Sequence, residues 1–283
     1  MDSIKEHQDV LFELLLEFDR VCTKFDIPYV LFAGSALGAV RHKGFIPWDD
    51  DLDVALLRTD YEKLMSVSDT DWGSDYYLQR EFSEHWPLYF SKLRKNNTTC
   101  LEKYHPKDKQ IHQGIYIDIF PIDNASNNPF MRRIQFGASK VVLAKAFYKR
   151  GYETNSMLKK VFMAFCRLLP MKPFYKLTVL SSEESSKFVH SFFGGTSSYK
   201  KGLYKRTCFT QRINLDFESV CFPISAQYDD LLTIMYGDYM AIPDEGQRQI
   251  KRHALLVDTK RDYSLYNGYR DNMEFEVLTR SIR

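Results

Sequence analysis

The sequence predicts an α/β protein with a mixed sheet flanked by helices and a largely helical C-terminal half. Three observations support this class. Apolar residues recur at helical spacing over 4–22, and again in the segments between 131 and 169. Apolar and acidic residues alternate with a period of two at Asp51–Val54 and over 114–121, as in strands with one buried face. The 283 residues, 44% hydrophobic and 27% charged, are typical of a globular chain with a sizeable core.

The predicted elements follow one another in a simple order. The N-terminal part contains a helix over 4–22, a strand over 28–33, a tight turn at Gly34-Ser35, a helix over 36–42, and strands over 48–57, 76–79, 89–93 and 115–120. A turn-forming cluster at 123–129 marks a boundary. We therefore expect a core over 1–125 and a mostly helical, basic region over 126–283 packed on it. Helices are predicted there at 131–150, 156–169 and 225–236.

Four acidic residues, Asp49, Asp50, Asp51 and Asp53, lie within five positions. Such a cluster persists in a fold when a cation neutralises it or when the acids fan out into water. Asp51 and Asp53 lie one strand step apart, and Asp49 continues the same face, so their carboxylates could share Mg²⁺ or Mn²⁺. Asp50 points the other way. A calcium loop is disfavoured because the loop positions that need Gly and Glu hold Val54 and Asp60.

Asp118 is the acid within the apolar strand over 115–120. An acid in such a strand is costly to bury without a partner. If this strand lies beside the first, Asp118 becomes a further metal ligand or the base that takes the proton of an attacking hydroxyl. The alternative is a cap on a neighbouring backbone group.

Several residues are candidates for holding phosphate. A turn that leads into a helix presents free backbone N–H groups, and cationic side chains supply charge. The candidates are Gly34, Ser35, Arg41, Lys43, Lys92 and Arg94. Lys92 and Arg94 are two residues apart in a strand and therefore share a face. For each cationic candidate the alternative is an ordinary surface charge.

These motifs together resemble the LicD family of bacterial phosphotransferases, which are related to the fukutin proteins and have a nucleotidyltransferase-like core. The segments that carry the resemblance are 32–38, 41–53 and 118–123, with a later block at 236–240 and 248–253. The family-like tail adds Arg248 as a phosphate-binding residue and His253 as a catalytic residue. A helical stretch would place these two on adjacent faces. The alternative for His253 is an ordinary surface or core histidine.

The resemblance implies transfer of phosphocholine from CDP-choline to a hydroxyl of a cell-surface glycan, a teichoic acid or lipopolysaccharide precursor, with release of CMP. Aromatic rings at Trp48, Tyr116 and Phe120 could then hold the quaternary ammonium, although they could equally be core residues. Related proteins suggest other CDP-activated groups, namely ribitol, glycerol or ethanolamine phosphate. The remaining alternatives are a nucleotidyltransferase that releases pyrophosphate and a catalytically silent glycan-binding member.

Charge is distributed unevenly along the chain. The segment 140–212 contains fifteen Lys or Arg against three Glu and no Asp, although the whole chain carries only +2. Within it, a basic amphipathic helix over 156–176 could lie on an anionic membrane or bind an anionic polymer. Alternatively it packs its apolar stripe on the core. The acceptor that the resemblance implies is a glycan or a lipid-linked glycan. Nucleic acid is not expected, because no recognised binding motif accompanies the charge.

The chain has five cysteines, no paired cysteine motif and a polar, acidic N-terminus. These features favour a reducing compartment and argue against a signal peptide. No apolar run approaches the roughly 20 residues that a membrane span needs. We therefore expect a cytoplasmic protein, with the inner face of the cell membrane as its site if the basic helix binds lipid.

Overall fold

The fold was analysed in a computed structural model, which describes residues 4–83, 86–102, 111–150, 152, 154–179, 186–194, 198–244, 246 and 254–266. The α-helices in these ranges are α1 (Ile4–Lys24), α2 (Ala33–His42), α3 (Arg58–Met65), α4 (Pro129–Arg150), α5 (Met157–Leu168), α6 (Met171–Val179), α7 (Thr207–Thr210) and α8 (Tyr228–Tyr236). None of the helices within the described ranges is both long enough and apolar enough to cross a membrane.

The strands are β1 (Val30–Leu31), β2 (Asp53–Leu57), β3 (Tyr76–Gln79), β4 (Ser91–Lys95), β5 (Thr99–Glu102), β6 (Tyr116–Ala125), β7 (Phe188–His190), β8 (Leu203–Lys205), β9 (Arg212–Phe217), β10 (Val220–Ser225) and β11 (Ala254–Asp258). Short 3₁₀ turns occur at Asp69–Asp71, Lys200–Gly202 and Tyr263–Tyr266.

The main sheet has the strand order β1-β2-β6-β4-β3. β2 and β6 are parallel, whereas β1, β4 and β3 each pair antiparallel with their neighbour. The predicted pairing of the strand at 76–79 with the strand that contains Leu93 is present as β3 and β4. A mixed sheet with flanking helices confirms the predicted fold class.

The long strand β6 joins the two halves of the chain. Its first half pairs with β2 and β4, and its end pairs with β7, which in turn pairs with β8. The region after residue 125 therefore contributes strands as well as helices. Its side chains Val189, Tyr204 and Leu231 pack in one buried cluster with Val30 and Phe32 of the N-terminal part. The division into 1–125 and 126–283 stays a prediction.

The helix α1 covers one face of the sheet. Its inward residues share the helical spacing predicted from the sequence and are fully buried: Leu11, Leu14, Leu15, Phe18 and Val21. They belong to the main hydrophobic cluster, which also contains Val54 of β2 and Ile117 of β6. The helix extends two residues beyond the predicted end, to Lys24.

Two boundaries near the acidic cluster differ from the prediction. Gly34 and Ser35 are not a separate turn but the first turn of α2, because the amides of Ser35 and Ala36 both donate to the Phe32 carbonyl. The predicted strand over 48–57 begins only at Asp53. Residues 49–52 are a loop, whose last residue still accepts a backbone hydrogen bond from β6, since the Asp118 amide donates to the Leu52 carbonyl at 2.9 Å.

Contacts from distant parts of the chain hold this acidic loop. The Gln8 side-chain amide of α1 donates to the carbonyls of Ile46 and Asp49, at 3.1 and 3.0 Å. The buried carboxylate of Asp50 accepts the Ala254 amide at 3.0 Å. Asp50 therefore points away from the other acids, as its position in the sequence suggested. Neither contact could be inferred from local periodicity, because each joins residues far apart in the chain.

A buried ion network lies at the other end of the parallel pair. Arg58, at the start of α3, donates two hydrogen bonds to the carboxylate of Asp123 in β6, at 2.7 and 3.2 Å, and a third to Glu81 at 2.9 Å. Both Arg58 and Asp123 are buried. Asp123, the last acid of the 118–123 motif, is therefore a packing residue that anchors α3 against the sheet.

Two glycines provide a matched test of the packing around α2. A Cβ atom at Gly38 would lie 2.4 Å from the Gly44 carbonyl oxygen, whereas a Cβ at Gly137 of α4 would meet no atom within 4 Å. We expect Gly38→Ala to lower the free energy of unfolding by about 1–3 kcal/mol, because the backbone at Gly44 or at α2 must move to make room for the Cβ atom. Gly137→Ala should raise it by about 0.5–1 kcal/mol through helix propensity.

Urea denaturation of the two single variants measures both effects. Equal stability of Gly38→Ala and the parent protein would contradict the close packing of α2 on the loop that precedes the acidic cluster.

Candidate active site

The register of the parallel pair brings two acids side by side. Asp53, the first residue of β2, is opposite Asp118 of β6. Ser35 sets this start of β2, because its buried hydroxyl accepts the Asp53 amide at 2.8 Å. In addition, the Phe32 amide donates to the Asp53 carbonyl at 2.9 Å. The fold thus attaches the start of β2 to the first turn of α2.

The N-terminus of α2 lies against the remaining acids. At Gly34, a Cβ atom would lie 2.9 Å from a carboxylate oxygen of Asp49 and 4.0 Å from one of Asp51. Glycine permits this close approach, since a Cβ atom would displace the Asp49 carboxylate. The positive end of the helix dipole favours negative charge at this position and so stabilises the two carboxylates.

Electrostatic repulsion is concentrated on Asp53. Burial, followed by the charges of Asp51, Asp118 and Asp49, raises the pKa of the Asp53 carboxyl well above its usual range. Burial raises the pKa of the Tyr236 phenol as well, and the negative charges of Asp53, Asp51 and Asp49 raise it further. The Tyr236 phenol therefore stays protonated beside the carboxylates and can act as a hydrogen-bond donor.

A cleft of about 680 Å³ opens on this cluster, within the usual size range of small-molecule sites. The residues that line it come from α2, the acidic loop and the end of α8 with the loop that follows: Gly34, Leu37, Arg41, Ile46, Trp48, Asp49, Asp51, Asp53, Tyr236, Asp238, Tyr239, Ala241, Ile242, Pro243 and Asp244. The cleft thus combines carboxylates with aromatic rings. Asp118 does not line it and lies one strand further in.

The partner of Asp118 is Lys92. The Lys92 ammonium lies 2.8 Å from a carboxylate oxygen of Asp118 and 3.2 Å from the centre of the Tyr116 ring. Lys92 is opposite Asp118 on β4, so the ion pair follows from the strand register. Burial raises the pKa of Asp118, and the charge of Lys92 opposes that rise. Lys92 therefore neutralises an acid that was predicted to bind metal.

Arg94 and Tyr116 lie in the protein interior. The buried Arg94 guanidinium donates to the Gln79 side chain at 2.7 Å and to the Gly114 carbonyl at 2.9 Å. The Tyr116 hydroxyl donates to Glu102 at 2.8 Å. Arg94 and Lys92 do share a face, as predicted, and both contact the Tyr116 ring. None of the three lines the cleft.

The other predicted cations are divided between two surfaces. Arg41 lines the cleft, and its guanidinium donates to the carbonyls of Tyr239 and Ala241, at 2.7 and 3.2 Å. It thus holds the loop after α8 over the acids. Lys43, which ends α2, lies in a separate surface hollow. Its carbonyl accepts the Glu218 amide from the turn between β9 and β10.

Of the predicted aromatic residues, Trp48 lines the cleft and its ring meets His42 edge to face. Phe120 packs against the rings of Phe32 and Phe90 in the interior. Arg248 and His253 lie outside the described residues.

The carboxylate set suits a hard divalent cation in its chemistry, since oxygen ligands are those that Mg²⁺ and Mn²⁺ prefer. Over the described part of the chain, however, no three His, Cys, Asp or Glu side chains converge closely enough to hold a metal ion. Asp49, Asp51 and Asp53 all line the cleft, whereas Asp118 does not and forms an ion pair with Lys92. The predicted metal ligands therefore stay a prediction.

Sequence reasoning did not select Tyr236, Asp238 and Tyr239 as site residues, yet all three line the cleft. The signal was present, because they lie in the 236–240 block that resembles the LicD family. What was missing was the packing of α8 against α2, which brings this block to the acids.

The Lys92–Asp118 pair leads to a prediction about stability. Lys92→Met would leave the Asp118 carboxylate without its ion pair and should lower the free energy of unfolding by about 3 kcal/mol. The double variant Lys92→Met/Asp118→Asn removes both charges and should recover most of that loss. Urea denaturation of Lys92→Met, of Asp118→Asn and of the double variant measures the coupling free energy between the two side chains. Additive losses in the double variant would contradict a direct ion pair.

Comparison with known proteins agrees with this geometry. Residues 26–153 match the sequence model of the LicD/FKTN/FKRP nucleotidyltransferase domain. The chain is 27% identical to a protein of Haemophilus influenzae named lipopolysaccharide cholinephosphotransferase LicD, over 87% of this chain and 95% of that protein. It is also 44% identical to an uncharacterized protein of Rickettsia typhi, over 46% of this chain and 40% of that protein.

The matched domain contains α2, the acidic loop, β2, β4 and β6, and so every predicted metal ligand. The sequence match and the fold together identify residues 26–153 as a LicD-family nucleotidyltransferase domain.

Proposed function

We propose that the protein transfers phosphocholine from CDP-choline to a hydroxyl of a cell-surface glycan and releases CMP. The observation that carries this proposal is the cleft, in which several closely spaced carboxylates lie beside the aromatic rings of Trp48, Tyr236 and Tyr239. Negative charge and aromatic faces are the two features that attract a quaternary ammonium group, the former directly and the latter through cation–π interaction.

The chain is an enzyme of the phosphotransferase class. Its similarity to the Haemophilus influenzae cholinephosphotransferase extends over nearly the whole length of both proteins and so includes the cleft residues that follow α8. This supports lipopolysaccharide or its precursor as the acceptor, with a teichoic acid precursor as the alternative.

The reaction is an in-line displacement at the phosphorus that bears choline. The acceptor oxygen forms a bond to this phosphorus, the bond from the phosphorus to CMP breaks, and the hydroxyl proton passes to a carboxylate. Asp118 stays the candidate base, although reaching the acceptor would require its ion pair with Lys92 to open. The protonated Tyr236 phenol can donate a hydrogen bond to a phosphate oxygen at the cleft.

We further propose that Asp51 and Asp53, with Asp49 and Asp118, hold Mg²⁺ or Mn²⁺. Such an ion would neutralise the phosphate charge that builds up as the bond to CMP breaks. The raised pKa of Asp53 supports this role, because carboxylates forced together gain most from a bound cation. Arg41 adds positive charge at the same wall of the cleft.

CMP release from CDP-choline in the presence of Mg²⁺ or Mn²⁺ and lipopolysaccharide precursors tests the proposal. We expect turnover by the parent protein. The double variant Asp51→Asn/Asp53→Asn should lower the rate of CMP release about 100-fold or more. Without these carboxylates, the cation that neutralises the phosphate would lose its ligands. A chelator should abolish the parent activity.

Asp50→Asn is the matched control, since Asp50 belongs to the same acidic run but points away from the cleft and binds the Ala254 amide. An amide oxygen can still accept that hydrogen bond, so most of the activity should remain. Turnover only with CDP-ribitol, CDP-glycerol or CDP-ethanolamine would show that the protein transfers one of these groups and not phosphocholine. Pyrophosphate release would indicate nucleotidyl transfer, and silence with every donor would indicate a glycan-binding protein.

A further inference from the structure

The helix α5 contacts the rest of the protein along a narrow side. Only two of its residues are buried, Met163 and Cys166. They form a small cluster with Ala144 of α4, to which Val141 and Phe147 add partly buried contacts. The N-terminus of α5 is capped by the Ser156 hydroxyl, which accepts the Lys159 amide. The helix is therefore attached to the protein through a small contact area.

The opposite side of α5 is apolar and exposed to solvent. The exposed fractions are 74% for Met157, 84% for Leu158, 61% for Val161, 44% for Phe162, 59% for Phe165 and 74% for Leu168. At 100° per residue, these side chains surround the direction directly opposite Met163. The alternative in which α5 packs its apolar stripe on the core is therefore wrong. The polarity of the helix is inverted relative to an ordinary surface helix.

Basic side chains flank this apolar stripe. Lys159 and Lys160 are exposed on the sides of α5 nearest the protein body, together with Arg167, which donates to the Tyr148 hydroxyl at 2.8 Å. Lys172 and Lys176 of the next helix, α6, are exposed as well. The segment 140–212 contains no Asp and only three Glu. Basic side chains thus border the apolar stripe on the sides of α5 nearest the protein body.

We propose that α5 docks this protein on an anionic phospholipid bilayer, with the stripe Met157, Leu158, Val161, Phe162, Phe165 and Leu168 inserted at the boundary between headgroups and acyl chains. An apolar face bounded by lysines on the protein side has the arrangement of an interfacial helix, in which the lysines meet the lipid phosphates. Contiguous exposed apolar surface of this kind marks an interaction site.

Charge decides between this occupant and a second copy of the chain. In a symmetric dimer the same patch would face itself, so the basic flanks of both copies would be brought together and would repel. An anionic lipid surface instead neutralises them. The docking depends on α5 and its flanks alone and stands independently of the proposed choline chemistry.

Vesicle flotation with the full chain tests the proposal. We expect the parent protein to float with vesicles of phosphatidylcholine and phosphatidylglycerol in a 7:3 ratio (about 30% anionic lipid) and to bind pure phosphatidylcholine at least about 10-fold more weakly. Raising the salt from about 0.1 to 0.5 M should weaken the anionic binding, because screening shortens the range of the lysine charges.

Two variants separate the apolar and the electrostatic contributions. Leu158→Ser/Phe165→Ser and Lys159→Glu/Lys160→Glu should each lower the partition coefficient at least about 10-fold. All four side chains are exposed, so the fold should persist, which circular dichroism and a thermal melt check. Leu265→Ser and Lys260→Glu are the matched controls, since both residues are exposed far from α5 in sequence. These controls should bind like the parent protein.

A tryptophan reporter locates the contact. Phe165→Trp keeps the apolar face and should be quenched by vesicles that contain brominated lipid, whereas Leu265→Trp should not be quenched beyond the signal of the native tryptophans. Failure of the parent protein to bind anionic vesicles would overturn the proposal, as would unchanged binding of both α5 variants. A dimer in sedimentation that Leu158→Ser/Phe165→Ser converts to monomer, without vesicle binding, would assign the stripe to a second copy instead.

Discussion

The parallel pairing of β2 with β6 is the constraint on which the site depends. It brings Asp53 opposite Asp118 and forces together carboxylates that would otherwise separate. Parallel neighbours require a long crossover connection. Here that connection contains β4, which returns antiparallel on the other side of β6 and places Lys92 opposite Asp118. One register therefore creates both the repulsion among the acids and the ion pair that relieves part of it.

The cleft is assembled from segments far apart in the chain. α2 supplies Gly34 and Arg41, the loop before β2 supplies Asp49 and Asp51, and β2 itself begins with Asp53. The end of α8 and the loop after it supply Tyr236 and Tyr239. A long-range hydrogen bond from Gln8 holds the loop before β2 against α1, and one from Arg41 holds the loop after α8 against α2.

The two surfaces of interest differ in sign and in position along the chain. The cleft is acidic and combines residues of the nucleotidyltransferase domain with residues 236–244, whereas α5 and α6 carry basic residues around an apolar stripe. In the proposed membrane-bound state the cations of α5 and α6 would bind lipid phosphate, whereas the donor phosphates would bind in the cleft.

The sequence by itself determined the elements with strong periodicity and the identity of the acids. α1 and the strands around Asp53 and Asp118 follow from apolar spacing, because local patterns decide which face is buried. Only the tertiary structure decided where partners lie. Lys92 was expected at a phosphate but forms an ion pair with Asp118, and the apolar stripe of α5 faces water. Strand register and helix docking are contacts between distant residues, so no local pattern specifies them.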